Sequence, residues 1–424
     1  MLAPTSAREA ARREPPLPVG PYLSRKLRVV TLLAVCAVIV VHAYNLNSRL
    51  VVGEQGAEAA GSARLVGFIE YLFSQALARW PAAMLFAISG FLFFHSLEPV
   101  LAGYMTKWRR RVRTLVVPFL LWSAWSLLVY LVVYRLSLGG SLLTEGGGRP
   151  TPAAALRLLL VQPVAYPLWF LQALIVCVAL TPAIYWLVRA LRWGAPLVLA
   201  PAWLLDLEYS NFVNFKALTF FTLGAVIAIG LRRGWLRTGG TIPAGSSAES
   251  PSTRSIRARS SSASPSAGSI VLGRWLLPLF VACCVLFTAF LRTSDAAWAH
   301  LLHKGLMVLA LAAVWFGYDA WLRGLADRAW VLALTGFSFF LFAAQEPTLL
   351  AFKRVAVHAL GTSDAALVVI YLLTPPVVIA LCLGAAVLLR RAAPRLYGLL
   401  TGGRARRPDV APATAAGAVA EATD

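Results

Sequence analysis

Residues 28–45 read RVVTLLAVCAVIVVHAYN, an apolar run that begins at a cation and ends just after a histidine. Thirteen residues separate Arg28 from His42, and none of them carries a charge. A helix of about 20 apolar residues crosses the hydrocarbon core of a bilayer, which is about 30 Å thick. The stretch therefore predicts a membrane-spanning helix, and its basic start favours a cytoplasmic location for that end.

The composition extends this prediction from one helix to the whole chain. Of the 424 residues, 59% are hydrophobic and only 13% are charged, and the mean hydropathy is +0.72. A soluble globular protein carries about 25% charged residues, so the composition excludes a soluble enzyme, a disordered chain and a disulfide scaffold. We expect an all-α, polytopic membrane protein of about ten transmembrane helices.

Ten apolar segments have about the length that a helix needs to cross a bilayer, or slightly less. The fifth has only 12 residues and is the weakest, so we expect it to be re-entrant, tilted or extended by its flanks. Between the first two spans, residues 65–77 have apolar side chains at helical spacing, which is typical of an amphipathic helix on the membrane surface. The predicted spans are 29–46, 81–97, 114–134, 167–188, 194–205, 215–231, 275–291, 301–322, 330–351 and 366–389.

The basic residues indicate the orientation of these spans. The net charge of +21 reflects 39 Lys and Arg against 18 Asp and Glu. Such an excess also suits nucleic acid, but here the cations punctuate apolar runs, so we predict no nucleic-acid partner. With ten alternating spans and a cytoplasmic N-terminus, 28 of the 39 Lys and Arg lie on the cytoplasmic side. The positive-inside rule therefore predicts that both termini are cytoplasmic.

Three polar segments divide the chain. Residues 1–23 lack an apolar core and are predicted to form a cytoplasmic tail rather than a cleaved signal peptide. Residues 236–272 are rich in Ser, Ala, Gly, Pro and Arg without periodicity, which predicts a disordered linker inside a transmembrane domain over 24–400. Residues 401–424 are predicted to form a cytoplasmic C-terminal tail.

Several familiar catalytic patterns are absent from the sequence. It has no P-loop, Rossmann glycine pattern, HExxH or G-x-S-x-G elbow, so phosphoryl transfer from ATP and zinc proteolysis have no support. The five cysteines lie inside apolar runs and form no CxxC pair. We interpret them as small apolar side chains and expect neither disulfides nor a metal.

Arg28 and His42 share one face of the first predicted helix. They are 14 positions apart, which is about 40° short of four turns and about 21 Å along the axis. Ionisable groups within a membrane usually have a function or a partner, so both are candidate catalytic residues. Two simpler interpretations stay open: Arg28 as an anchor at the membrane surface, and His42 as an interfacial polar residue.

Lys107, Arg110 and Arg113 form a basic cluster at the cytoplasmic entrance to the third span. Arg110 and Arg113 are three positions apart and so lie on one side of a helix. Guanidinium groups bind phosphate bidentately, which makes the cluster a candidate phosphate site. The alternative is a cluster that sets the topology and contacts anionic lipid.

Glu346 lies in the outer third of the ninth predicted span, at a depth similar to that of His42. A carboxylate facing an imidazole would fix its tautomer and raise its basicity. The alternative is a helix end kinked by Pro347, with the carboxylate in an aqueous vestibule. In the second span, the small residues Ser89 and Gly90 predict a close approach of two helices.

Together these stretches resemble the membrane-bound acyltransferase 3 family, which includes bacterial O-acetyltransferases of surface polysaccharides. The resemblance covers about residues 24–404 and depends on the order and spacing of short motifs. The motifs are SRKLR (24–28), HAYN (42–45), FAISGFLFF (86–94), RRVR (110–113), PFLLW (118–122), PLWFL (167–171), FFTLG (220–224), Glu346 with Pro347, and LTGGR (400–404).

The resemblance implies an enzyme of the bacterial inner membrane, surrounded by lipid. Family members take an acyl group, usually acetyl, from cytoplasmic acyl-CoA and deliver it to a hydroxyl of a glycan or lipid-linked acceptor. The family's essential Arg and His map onto Arg28 and His42, and its R-x-x-R maps onto Arg110 and Arg113. The commonest family spacing is R-x10-H; the three extra residues here are almost one turn and keep the pair on one face. Relatives often have His where this chain has Gln345.

On this interpretation, His42 is the general base that takes the proton of the acceptor hydroxyl. A covalent acyl-imidazole is the less favoured variant. Arg110, Arg113 and Lys107 hold the phosphates of CoA, and Asn45 is a candidate donor to the developing oxyanion. Two other functions stay open: a transporter or flippase of an anionic or glycan substrate without covalent chemistry, and a non-catalytic scaffold that interacts through the linker.

Overall fold

The computed structural model describes residues 19–43, 63–135, 151–207, 213–235 and 265–403. Within these ranges all regular structure is helical, so the predicted all-α class is confirmed. Most of both predicted tails, most of the predicted linker and Asn45 lie outside the described residues.

The helices are numbered α1 to α17 in chain order. A 3-10 turn, Tyr166–Leu168, precedes α7, and π-helical segments extend α2 (Tyr71–Leu77), α4 (Val112–Val116) and α12 (Tyr318–Leu322). The helices are α1 Pro21–Ala43, α2 Ala63–Glu70, α3 Pro81–His95, α4 Leu101–Arg111, α5 Val117–Arg135, α6 Pro152–Leu160, α7 Trp169–Ala179, α8 Thr181–Leu191, α9 Gly194–Leu204, α10 Phe215–Arg232, α11 Ala267–Leu291, α12 Ala297–Gly317, α13 Arg323–Ala326, α14 Ala329–Thr335, α15 Ser338–Leu360, α16 Asp364–Ala392 and α17 Pro394–Leu400.

Seven continuous helices of the described chain are long and apolar enough to cross a membrane. Two further pairs, α7 with α8 and α14 with α15, bend by 66° and 67°, so the predicted fourth and ninth spans are broken helices. The fifth predicted span corresponds to α9, whose 11 residues are too few for a straight crossing. The structure thus supports a multi-pass helical membrane protein with seven to nine spans. The count of ten and the side of each terminus stay predictions.

The break between α7 and α8 has a local cause. Pro182 has no backbone N–H and cannot donate to the carbonyl oxygen of Val178, four residues earlier. That oxygen instead accepts hydrogen bonds from Thr181 Oγ1, over 2.7 Å, and from the indole Nε1 of Trp108, over 2.9 Å. The bend therefore leaves this carbonyl satisfied and connects α7 to α4.

The predicted surface helix at residues 65–77 is wrong, because this segment belongs to one long candidate membrane-spanning helix, Leu65–His95, and one side of it packs against other helices. Ser74 is fully buried. Its hydroxyl donates to the carbonyl oxygen of Val40 in α1 and shares a hydrogen bond with the Tyr371 hydroxyl in α16, both over 2.6 Å. Apolar side chains on one face of a helix suit a protein interface as well as a lipid surface, and here the interface forms.

Two helices begin at residues that the sequence assigns to a polar segment. Helix α11 begins at Ala267, five residues before the predicted end of the 236–272 linker, because Ser266 caps it by accepting a hydrogen bond from the Ser269 backbone N–H. Helix α1 begins at Pro21, so residues 21–23 belong to the bundle and not to the N-terminal tail.

Helices α3 and α10 pack with their backbones in contact. A Cβ atom on Gly90 would lie 2.0 Å from the carbonyl oxygen of Phe221, and one on Gly224 would lie 2.0 Å from that of Ala87. Only glycine fits such a contact, so the close approach predicted from Ser89 and Gly90 is confirmed. Each glycine is the tenth residue of its helix, so the contact joins the middle of α3 to the middle of α10.

A buried ion pair secures the N-terminal end of α1. The Lys26 ammonium lies 2.8 Å from both carboxylate oxygens of Asp319 and 4.2 Å from the ring centroid of Trp315. The Tyr22 hydroxyl also donates to Asp319, and Arg25 pairs with Asp327. These contacts join α1 to the end of α12, at the opposite end of α1 from His42.

Candidate active site

His42 lies in the last turn of α1 and lines a cavity of about 130 Å³. Its half-buried ring packs edge-on against Tyr166, with the ring centroids 5.5 Å apart. Arg79 and Lys216 are the basic side chains that line the same cavity. The structure therefore places His42 at a cavity whose lining combines two basic residues with aromatic and apolar ones.

The cavity forms where the ends of several helices meet. Arg79 precedes the first residue of α3, Tyr166 lies in the turn before α7, and Lys216 is the second residue of α10. Phe342 of α15 closes another side. The HAYN and PLWFL motifs, which are far apart in sequence, thus contribute His42 and Trp169 to one site.

Lys353 holds the helix end that carries His42. Its ammonium donates a hydrogen bond to the carbonyl oxygen of His42 over 3.0 Å, and the side chain is 6% exposed. The last carbonyl groups of a helix lack a partner within that helix, so this bond satisfies one of them. Lys353 lies two residues beyond the predicted end of the ninth span at 351, whereas α15 continues to Leu360, so hydropathy alone does not indicate it.

The carboxylates of Glu346 and Glu70 are electrostatic neighbours of Lys353. Each has a buried oxygen without a hydrogen-bond partner among the described residues. Glu346 therefore lies near the lysine that binds the His42 backbone, whereas the sequence predicted a carboxylate facing the imidazole itself. Glu70 was missed because its segment was placed on the membrane surface.

Arg28 is exposed on α1. It lines neither the His42 cavity nor a second cavity, of about 220 Å³, at the N-terminal end of α1. The buried cation at that end is Lys26, two residues earlier. The shared face with His42 therefore does not bring Arg28 into either cavity.

The basic cluster contains two kinds of side chain. Lys107 donates to the carbonyl oxygen of Phe93 and to Ser96 Oγ, each over 2.8 Å, so it caps the C-terminal end of α3. Arg232 of α10 donates to the Leu97 carbonyl oxygen at the same end. Arg110 and Arg113 are exposed. They are free of this capping role and remain accessible to an anionic ligand.

Two further expectations from the sequence concern Asn45 and metal binding. Asn45 lies outside the described residues, so no geometry bears on its suggested role. Among the residues that the structure describes, no group of three or more His, Cys, Asp or Glu is placed to hold a metal ion.

Comparison with known proteins identifies the class of this molecule. A family model described as an acyltransferase domain, acyltransferase 3, matches residues 27–391, and the chain belongs to this family. The resemblance drawn from the motifs is thereby confirmed, and the chain is a multi-pass membrane protein of an acyltransferase family.

A curated relative is the succinoglycan biosynthesis protein ExoH of Rhizobium meliloti (strain 1021), which is 26% identical over 208 residues. The alignment covers 48% of this chain and 53% of the relative, so the chain spans about half the length of the curated relative that it matches. No solved structure matches the chain.

Proposed function

We propose that the protein transfers an acyl group, usually acetyl, from cytoplasmic acyl-CoA to a hydroxyl of a cell-surface glycan or a related lipid-linked acceptor. The protein does so in the bacterial inner membrane. The observation that carries the proposal is the position of His42, whose imidazole lines a cavity formed by helix ends at one end of the bundle. Arg110 and Arg113 are exposed near the other end of α3.

The reaction needs a base and a place for two substrates. The acceptor oxygen attacks the thioester carbonyl carbon, a new C–O ester bond forms and the C–S bond breaks. His42 takes the hydroxyl proton and passes it to the departing thiolate, so the products are the ester and CoA thiol. When both substrates fill the cavity beside the imidazole, their displacement of water favours acyl transfer over hydrolysis.

The donor enters from the opposite side of the membrane. Acyl-CoA carries phosphates on its nucleotide, and exposed guanidinium groups are suited to bind them. Arg110 and Arg113 take this role, and Lys107 supports it by capping α3 beside them. The pantetheine arm then extends through the bundle towards His42.

The glycan acceptor is supported by the relative. Its name assigns it to the biosynthesis of a polysaccharide, succinoglycan. An acceptor hydroxyl on a growing or surface-exposed sugar reaches the His42 end of the bundle if that end faces outward, as the distribution of basic residues predicts.

The test compares envelope glycans from a wild-type strain and a deletion strain by mass spectrometry. Glycan from the deletion strain then serves as the acceptor for purified protein in lipid nanodiscs, with acetyl-CoA as donor. We expect ester formation with release of CoA thiol in equal amount, absent in His42→Ala and retained in His358→Ala, a control at an exposed histidine. Identical glycans in the two strains would contradict the proposal.

A further inference from the structure

Between α2 and α3 the backbone is π-helical over Tyr71–Leu77. A π-helix closes its backbone hydrogen bonds over five residues instead of four, and such segments are rare and often lie at functional sites. This one belongs to the continuous candidate span Leu65–His95 and ends two residues before Arg79, which lines the His42 cavity. The π-helical segment therefore leads directly into the lining of the candidate active site.

Ser74 connects the π-helical segment to the helix that carries His42. Its hydroxyl donates over 2.6 Å to the carbonyl oxygen of Val40, which lies two residues before His42 in α1. Because Ser74 has no exposed surface, water does not compete for this bond. Lys353 of α15 donates to the carbonyl oxygen of His42 itself. The last four residues of α1 thus accept hydrogen bonds from two other helices.

A tyrosine fixes the direction of the Ser74 hydroxyl. The hydroxyl oxygen of Tyr371, in α16, lies 2.6 Å from Ser74 Oγ. A serine hydroxyl has one proton, and a carbonyl oxygen only accepts. Since the Ser74 proton is used at Val40, the proton between the two hydroxyl groups comes from Tyr371. The contacts form a directed chain from Tyr371 to Ser74 to the Val40 carbonyl oxygen, and each bond in such a chain polarises and strengthens the next.

Helix α12 holds the other side of the π-helical segment. The backbone carbonyl oxygen of Gln75, the residue after Ser74, lies 2.7 Å from Nε2 of His303. A carbonyl oxygen accepts, so this nitrogen carries a proton. The His303 ring also stacks on Phe287, with the ring centroids 5.3 Å apart. Adjacent residues of the segment thus bind α1 and α12, which fixes the rotation of the segment about its own axis.

We propose that Ser74 is a positioning residue for His42: through the Val40 carbonyl oxygen it sets the orientation of the last turn of α1, and Tyr371 holds Ser74 in the donating rotamer. This inference rests on the proposed acyl transfer and adds to it the residues that aim the imidazole. A general base has to lie within hydrogen-bond reach of the acceptor hydroxyl, and a misplacement of about 1 Å costs about a hundredfold in rate. The effect falls on turnover and not on donor binding.

The test measures kcat per folded molecule in nanodiscs, with acetyl-CoA as donor and glycan from the deletion strain as acceptor. We expect Ser74→Ala to lower kcat about tenfold or more, while KM for acetyl-CoA stays within about twofold, because the change lies outside the proposed donor site. Ser126→Ala is the matched control and should keep the wild-type kcat. Ser126 is also buried, but its hydroxyl donates to the Ser123 carbonyl oxygen within its own helix.

Tyr371→Phe gives a second readout, because it removes a hydroxyl group and keeps the ring. It should lower kcat about threefold, since Ser74 keeps its bond to Val40 but loses the group that orients it. In the double variant Ser74→Ala/Tyr371→Phe, kcat should equal that of Ser74→Ala, because Tyr371 acts through Ser74. Losses that multiply in the double variant would overturn the directed chain.

Hydrogen exchange at the end of α1 tests the positioning without any substrate. The backbone amides of residues 40–43 should exchange about tenfold faster or more in Ser74→Ala than in the wild type, and at the wild-type rate in Ser126→Ala. Wild-type kcat or wild-type exchange in folded Ser74→Ala would overturn the inference and leave the proposed function standing. If the wild type transfers no acyl group, the proposed function fails, and the exchange alone decides whether Ser74 holds this turn.

Discussion

The ammonium of Lys353 donates a hydrogen bond to the backbone carbonyl oxygen of His42, and this bond joins α15 to the last turn of α1. The two residues are 311 positions apart in sequence, so the contact depends on the complete bundle. A buried lysine is costly without partners, and here the carboxyl groups of Glu346 and Glu70 lie near enough to act on its charge. The imidazole is thereby positioned through its own backbone.

Replacement of Lys353 should impair both stability and turnover. In Lys353→Met the carbonyl oxygen of His42 loses a hydrogen bond from a charged donor, and such a bond contributes about 1.5–3 kcal/mol. The last turn of α1 also loses its tie, so we expect kcat to fall about tenfold, as a misplaced base would produce. Thermal unfolding in detergent and steady-state kinetics measure the two effects.

A second substitution separates the effect of Lys353 on the position of His42 from its effect on the stability of the protein. Glu70→Gln in the Lys353→Met background replaces a buried carboxyl group that has lost its neighbouring cation, so it should recover part of the melting temperature without recovering kcat. Lys304→Met is the matched control, because Lys304 also caps a helix end, at the carbonyl oxygens of Trp203 and Leu204, away from His42. A wild-type kcat in Lys353→Met would show that the bond to His42 has no role in catalysis.

The Lys26–Asp319 pair should stabilise the opposite end of α1. Lys26→Met and Asp319→Asn each leave a buried group without its partner, so we expect each to lower the free energy of unfolding by about 3–5 kcal/mol. The double variant Lys26→Met/Asp319→Leu buries no charge and should recover most of the loss. Additive losses in the double variant, measured by thermal unfolding, would show that the two residues act independently.

The contact between α3 and α10 predicts a sharp intolerance of side chains. A Cβ at Gly224 meets two backbone groups of α3, so Gly224→Val must force the helices apart and should cost more than the about 1–3 kcal/mol typical of overpacking. Gly384→Val is the matched control in another apolar helix, since a Cβ there meets nothing within 4 Å. Equal yields of folded Gly224→Val and Gly384→Val protein would contradict the packing.

The donor site at Arg110 and Arg113 can be tested with a truncated substrate. We expect Arg110→Gln/Arg113→Gln to raise KM for acetyl-CoA about tenfold or more, because charge-assisted hydrogen bonds to phosphate are lost. The KM for acetyl-pantetheine, which lacks phosphate, should change little. Arg109→Gln, at an exposed neighbour outside this pair, is the control. The same rise in KM for both donors would show that Arg110 and Arg113 do not bind the phosphates of CoA.

Much of the fold follows from the apolar runs, because a bilayer demands about 20 apolar residues per crossing. The bends do not follow from hydropathy. The break between α7 and α8 depends on Pro182 together with side chains that satisfy Val178, and one of these comes from Trp108 in α4. The fifth predicted span was recognised as short, and α9 is short.

The candidate site was predictable only in part, because hydropathy identifies apolar runs but not the contacts between helices. His42 stands out because it is an ionisable group in an apolar run. Lys26 and Lys353 lie outside the predicted spans, since helices continue past the apolar runs that define them, and Glu70 lies in the segment that was predicted to be a surface helix. A search for ionisable residues within one or two turns of each predicted span would have found the two lysines. The partners that those residues meet require the assembled bundle.

The most direct test of the account is the rate of CoA release from acetyl-CoA by His42→Gln protein in nanodiscs, with glycan from the deletion strain as acceptor. The account predicts a loss of at least about a hundredfold, the lower range for a general base, with unchanged thermal unfolding and with full activity in His358→Ala. Acetylation of the glycan by His42→Gln at the wild-type rate would contradict the central claim that this imidazole is the base.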